Sequence, residues 1–273
     1  MIHIDRGHFC AHNDSRKYML AARDIGYGSI IDNPVQHAEV LELLKDKLVP
    51  GAKVLDVGSG SGYLTTCFAH MVGKNGSVVG VEHIPEIVNH ASNVTTLHYP
   101  KLNKRIKFIC GDGRLGYPEG GPYDVIHVGA SSEVVPKSLI AQLSSNNGSL
   151  FVPIGVDGPC NQTCWTKLNN GTVVEEIKQG AILYQDLCDK DYQMSEWFRD
   201  LMTTLVESDQ DYVDPDKSYF SAIPSNETFE QYDPTNKWST MWFTEAPLTR
   251  QSYKYPIPDH KSEQLRYESH IEK

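Results

Sequence analysis

The sequence predicts an α/β protein with a doubly wound, Rossmann-like fold. From Lys53 to about Gly155, short β-like runs alternate with helical patterns, the signature of a parallel sheet with helices on both faces. The stretch "VLDVGSGSGYL" (Val54–Leu64) passes from an apolar run through three glycines into a helical pattern, an arrangement suited to a nucleotide-like ligand. Asp56, Glu82 and Asp112 then fall at the ends of three successive strand candidates, where such sheets bind their ligands.

Each element follows from its local pattern. "PVQHAEVLELLKDKL" (Pro34–Leu48) is amphipathic at helical spacing with proline at its start, and is placed to cap the sheet near the ligand end. "KVLDV" (Lys53–Val57) is the first core strand, and "YLTTCFAHMV" (Tyr63–Val72) a helix. "SVVGVE" (Ser77–Glu82) is the second strand, followed by a helix over "PEIVNHASNV" (Pro85–Val94) with proline in its first turn. "IKFICGD" (Ile106–Asp112) and "YDVIHVG" (Tyr123–Gly129) are the third and fourth strands. "PKSLIAQL" (Pro136–Leu143) is a helix, and "SLFVPIG" (Ser149–Gly155) the fifth strand. "GTVVEEI" (Gly171–Ile177) and "GAILYQDL" (Gly180–Leu187) are expected to add antiparallel edge strands.

Composition narrows the function classes. The 273 residues, 40% of them hydrophobic, suffice for one large domain or a domain plus an extension. A formal net charge of −10 and no Lys/Arg cluster argue against nucleic acid and anionic membranes as partners. No apolar run approaches the length of a membrane span, and "MIHIDRGHFC" has no apolar signal core, so a cytoplasmic protein is expected. The six cysteines are scattered; Cys160 and Cys164 lie four apart without a second close pair, so no metal site is expected and the thiols read as reduced and structural. The composition changes after about Phe198. Residues 201–273 carry 13 acidic against 7 basic residues, a net −6, with punctuating prolines and eleven aromatics, which suggests partial packing. We therefore expect a catalytic domain over 1–198 and a partly ordered acidic extension over 199–273, its last stretch "PDHKSEQLRYESHIEK" mobile.

The glycine spacing decides between ligands. A dinucleotide fingerprint needs G-x-G-x-x-G, whereas here the pattern is Gly58-x-Gly60-x-Gly62 and the third fingerprint position is Tyr63. Asp56 just before the loop is a poor neighbour for a pyrophosphate and a good one for a cationic ligand, whose ammonium it can meet directly or through water. "LDVGSGSG" resembles the loop of class I S-adenosylmethionine-dependent methyltransferases. In that reading Glu82, 20 residues after Gly62, accepts the ribose hydroxyls, and Asp112 in "GDG" accepts from the adenine amino group. The plain alternative for any one of these acids is a turn or cap residue.

Longer segments carry a family resemblance. "DRGHF" (Asp5–Phe9), the loop "LDVGSGSGYLT", the block "GDGRLGYPEGGPYDVIHVGA" (Gly111–Ala130), "VVPKSLIAQL", "LFVPIG" and "LCDKDYQMSEW" (Leu187–Trp197) stand in the order of the protein-L-isoaspartate (D-aspartate) O-methyltransferases, over about residues 5–198. The resemblance implies S-adenosyl-L-methionine as cofactor, isoaspartyl-containing proteins or peptides as partners, and a monomer. It implies cofactor positions at Asp56, Gly58, Ser59, Gly60, Glu82, His83, Asp112 and Gly113. It adds Ser29, then Ile30, Ile31, Asp32 and His37 from the helix-entry segment "IIDNPVQHA" (Ile30–Ala38), and Cys188 and Gln193 near the end of the match.

Several positions depart from the family pattern: the active-site serine is replaced by Asp32, which becomes the candidate catalytic residue, the first histidine of the segment by Val35, the threonine near the end of the match by Cys188, and G-A-A-A-P by "GASSE" (Gly129–Glu133). Two carboxylates about 4 Å apart at an effective dielectric of about 20 repel by roughly 4 kcal/mol, on the order of a thousandfold in affinity. Three outcomes are open from the sequence. Asp32 points away and carboxyl methylation proceeds; Asp32 serves as a base for a neutral hydroxyl or amine acceptor; or transfer is lost and the chain is a cofactor-binding scaffold. His37 reads as a pocket wall or helix-face residue, and His127, inside a strand, as a satisfied core histidine.

Overall fold

The computed structural model describes residues 2–11, 14–156 and 158–209. The chain opens with a single 3-10 turn, Arg6–His8, capped by the Asp5 side chain, which accepts from the Gly7 amide. An antiparallel hairpin follows, β1 (Arg23–Gly26) and β2 (Ser29–Ile31). Helix α1 (Pro34–Leu44) starts on Asn33, whose side chain accepts from the amides of Val35 and Gln36. The core alternates as β3 (Lys53–Val57), α2 (Tyr63–Met71), β4 (Ser77–Glu82), α3 (Pro85–His98), α4 (Pro100–Asn103) and β5 (Ile106–Cys110). It continues with β6 (Val125–Val128), α5 (Lys137–Gln142), β7 (Gly148–Ile154), β8 (Cys160–Lys167), β9 (Val173–Ile182) and α6 (Lys190–Asp209).

Seven strands form one sheet in the order β5-β4-β3-β6-β7-β8-β9, with the first five mutually parallel. The path runs outward from β3 to β5 and then returns to β6 beside β3. That reversal is the switch point at which open α/β sheets leave a crevice above the strand ends. Pleating sends alternate residues to opposite faces. Val54 joins Val40, Leu44, Phe68 and Val72 on the side covered by α1 and α2, while Leu55 and Val57 join Ile126, Leu139 and Val152 on the side covered by α5. The sheet is therefore doubly wound, as the alternating pattern predicts.

The differences lie beyond β7. The sequence pattern does not predict strand β8, because "CNQTCWTK" buries polar side chains that pattern as a turn. Gln162 and Thr163 are both buried: Gln162 Nε2 donates to the Tyr184 hydroxyl at 2.8 Å, its Oε1 being left without a partner among the described residues, and Thr163 Oγ1 donates to the Val152 carbonyl at 2.7 Å. The two expected edge strands merge into β9, which ends at Ile182, so "LYQDL" leaves the sheet. Helix α3 runs to His98, past the expected Val94, because nothing breaks it before Pro100. Helix α1 ends at Leu44 and hands over to turns up to Leu48. Helix α6 passes through residue 198; the remaining extension, with its expected mobile end, lies outside the described residues. The six cysteines are free. Among the described residues no helix is long and apolar enough to cross a membrane, and no His, Cys, Asp and Glu side chains group as a metal site.

Candidate functional site

The glycine loop turns sharply because Gly58, Gly60 and Gly62 all have left-handed backbone, with φ of 69°, 49° and 84°. At Gly62 a side chain is also excluded by contact: an added Cβ would sit 2.9 Å from Phe108 Cζ and 3.0 Å from Ala91 Cβ. The amides of Gly58 and Ser59 donate to the Val81 carbonyl at 2.9 and 3.0 Å, which ties the loop to the end of β4.

Beside this loop lie two adjoining chambers that share Ile30, Gly58, Gly60 and Gly129 as walls. The outer chamber is lined by Ser29, Glu82, His83, Gly113, Cys188 and Gln193, with Ala130 and the segment Gln185–Leu187. Glu82 is buried and pre-set: Oε1 accepts from the amides of His83 and Ile84 at 2.7 and 3.0 Å, and Oε2 from the Gly60 amide at 3.2 Å. A carboxylate offers about four acceptor sites, so capacity remains for a diol. Gln193 closes this chamber from α6. Its Nε2 donates to the Tyr27 carbonyl at 3.0 Å and to Ser29 Oγ at 2.9 Å, while its Oε1 pairs with His83 Nε2 at 2.9 Å.

The inner chamber is lined by Ile31, Asp32, His37, Asp56, Ser59, Tyr63 and His127. Parallel register sets Asp56 beside His127, and both point to the α2 side, where Asp56 Oδ1 pairs with His127 Nδ1 at 2.7 Å and Oδ2 accepts from Thr65 Oγ1 at 2.5 Å. His127 is thus satisfied, as expected of a core histidine, and it also walls the chamber.

Arg6 supports the chamber from behind. It is buried, and its guanidinium donates to His37 Nδ1 at 3.3 Å and to the carbonyls of Ile31, Lys17 and Ala21. Because arginine only donates, His37 Nδ1 must accept, which puts the ring proton on Nε2. Burial pushes the His37 pKa down to about 3, with Arg6 and His127 reinforcing the shift, so the ring stays neutral. That agrees with a pocket wall and not a base.

Asp32 follows β2 and precedes the α1 cap, so its backbone is held on both sides. Asp32 is one of the residues that line the inner chamber. Among the described residues it accepts no hydrogen bond, and burial pushes its pKa up to about 6, against the pull of His127 and Arg6.

Asp112 stands apart from the other candidates. Its carboxylate caps the turn Gly113–Leu115 and accepts from Arg114 Nε and Nη2 at 2.8–3.0 Å, while Gly113 is the neighbour that lines the outer chamber. Sequence patterns alone do not single out Arg6, Tyr63, Gly129, Ala130 or Gln185–Leu187 as site residues. Gly129 and Ala130 end the distinctive block Gly111–Ala130 and Arg6 belongs to the segment "DRGHF", signals that could have found them, whereas Gln185 carries no local signal.

The family model of protein-L-isoaspartate(D-aspartate) O-methyltransferase matches residues 1–191. The chain belongs to that family. It is 42% identical over 195 residues to the Caenorhabditis elegans protein-L-isoaspartate O-methyltransferase, covering 70% of this chain and 83% of that one. The Triticum aestivum enzyme is 47% identical over 155 residues, covering 56% of this chain and 66% of its own. A Plasmodium falciparum structure assigned to the same enzyme class, solved in complex with S-adenosyl-L-homocysteine, superposes with a TM-score of 0.62 at 31% identity, covering 68% of this chain and 87% of that one. The fold is therefore that of a class I S-adenosylmethionine-dependent methyltransferase. Membership rests on residues 1–191, which contain Asp32 and all the other site candidates except Gln193.

Proposed function

We propose that the protein transfers the methyl group of S-adenosyl-L-methionine to the free carboxylate of L-isoaspartyl and D-aspartyl residues in aged proteins, the first step of their repair. The observation that carries this reading is the junction of the two chambers at Ile30, Gly58, Gly60 and Gly129, between a diol-accepting carboxylate, Glu82, and an acceptor chamber walled by Asp32 and His37.

The residues present fit the cofactor. Glu82 would hold the ribose, Gly113 in the same chamber would lie beside the adenine, and Asp56 in the inner chamber would lie toward the cationic amino-acid end, while the Asp112 carboxylate is taken up by Arg114. When bound, the cofactor supplies an electrophilic methyl on a sulfonium. The protein's own task is to position and to exclude water. An acceptor carboxylate is already ionised at neutral pH and needs no base, so a closed chamber with aligned partners supplies the rate. The neutral His37 Nε2–H is a donor that can orient one acceptor oxygen without adding charge. The resulting ester collapses to a succinimide, which returns part of the chain to normal aspartate.

The site reading covers residues 1–198 as the methyltransferase domain, acting as a cytoplasmic monomer, with 199–273 as an added acidic extension. The lone Asp32 carboxyl favours one second reading, methylation of a neutral hydroxyl or amine acceptor with Asp32 as base. Transfer of labelled methyl to an isoaspartyl peptide, against the aspartyl peptide and against hydroxyl and amine acceptors, tests both. An alkali-labile product on the isoaspartyl peptide alone supports the first. Cofactor binding with no transfer to any acceptor overturns both in favour of a binding scaffold.

A further inference from the structure

Asp32 is the one carboxyl of the inner chamber that nothing holds among the described residues. Asp56 has both oxygens engaged, by His127 and Thr65. The groups that face Asp32 come from every element around it: Arg6 from the first turn, His37 from α1, Tyr63 from α2, Asp56 from β3, His127 from β6 and Tyr184 after β9. The cation among them, Arg6, directs four of its five N–H groups to His37 Nδ1 and three backbone carbonyls. Among the described residues no group donates a hydrogen bond to Asp32, and only the charges of His127 and Arg6 act on it from a distance.

An acceptor carboxylate entering this space meets Asp32, a half-buried wall of the chamber. Two carboxyl groups so placed cannot both be ionised, and the pair keeps one shared proton. A neutral carboxyl is also a donor. We propose that Asp32 admits the acceptor carboxylate only in its protonated form and donates a hydrogen bond to it, so that acceptor binding takes up a proton. This rests on the carboxyl-acceptor reading above. Asp32 is then a specificity and pH-gating residue: at alkaline pH it rejects carboxylates that it accepts under mildly acidic conditions. Burial already biases the free enzyme toward this state, because the carboxyl loses its proton only near pH 6.

Asp32→Asn keeps the shape and a donor while removing the titration. The wild type is expected to lose kcat/KM for an isoaspartyl peptide by about tenfold per pH unit above about pH 6.5, mostly through KM. Asp32→Asn and Asp32→Ser are expected to be flat from pH 6 to 8 and at least about tenfold faster than wild type at pH 8. A wild-type profile without that fall, or an Asn variant inactive at every pH, overturns the proposal, the latter in favour of a base. Calorimetry of peptide binding with S-adenosylhomocysteine present, in two buffers of different ionisation enthalpy at pH 7.5, gives a readout independent of transfer. Uptake of close to one proton by wild type and none by Asp32→Asn supports gating. Uptake without methyl transfer overturns the enzymatic reading and leaves the gate standing. Binding without uptake, or no binding at all, overturns the gate.

Discussion

The Nδ1–H of His127 donates to Oδ1 of Asp56 at 2.7 Å, across neighbouring parallel strands in which these two residues are register partners. The bond serves the fold and the site together. It satisfies two buried polar groups, and it fixes the edge of the imidazole at the inner chamber. Asp56→Ala leaves both His127 and Thr65 without their acceptor. We expect a loss of about 3 kcal/mol and a melting temperature lower by roughly 10 °C, measured by calorimetric or spectroscopic melting.

Arg6 holds His37 through a fork that a lysine cannot copy, since one ammonium does not reach His37 Nδ1 and the carbonyls of Ile31, Lys17 and Ala21 at once. Arg6→Lys is expected to cost about 2 kcal/mol in denaturant titration. The histidine nitrogen spectrum gives the specific check: wild type shows His37 protonated on Nε2 alone, and the variant shows a mixture of tautomers.

The two shifted groups of the inner chamber oppose each other in acid. His37 has its pKa lowered to about 3, so its share of stability is complete above its unfolded value of 6.5 and is lost as pH falls below it. Asp32 has its pKa raised from 3.8 to about 6, so the folded state holds the extra proton between those values and gains stability as pH falls through that window. Each slope is at most about 1.4 kcal/mol per pH unit, and between pH 6 and 4 they largely cancel. Asp32→Asn removes one side of the balance. Denaturation midpoints at pH 6, 5 and 4 are therefore expected to fall more steeply for the variant than for the wild type.

Gln193 joins α6, the β1–β2 turn and His83 at the mouth of the outer chamber. Gln193→Ala is expected to weaken S-adenosylhomocysteine binding about tenfold in calorimetric titration while changing stability by less than about 1 kcal/mol. A large stability loss with unchanged affinity would assign Gln193 to the fold alone.

Much of this protein is legible in its amino-acid order. The five parallel strands, the helices between them and the glycine loop are local signals: period, proline and glycine act over a few residues, and the folded chain keeps them. The same locality brings Glu82 and Gly113 to the strand ends. Strand β8 is illegible because Gln162 and Thr163 are buried polar residues, whose partners, Tyr184 beyond β9 and Val152 on β7, are distant in the chain.

The sequence by itself determined the fold class, the cofactor loop and the identity of the odd residue, Asp32. Tertiary structure alone decided that Asp32 lines the inner chamber with Asp56 and His127, that Arg6 sits behind His37 from 31 residues away, and that Gln193 reaches His83 across 110 residues. These contacts depend on how distant segments register against one sheet, and register is a property of the packed chain, invisible to any local pattern. Chemistry at this site follows the second set, because a carboxyl is a base, a donor or a repulsive charge according to what surrounds it.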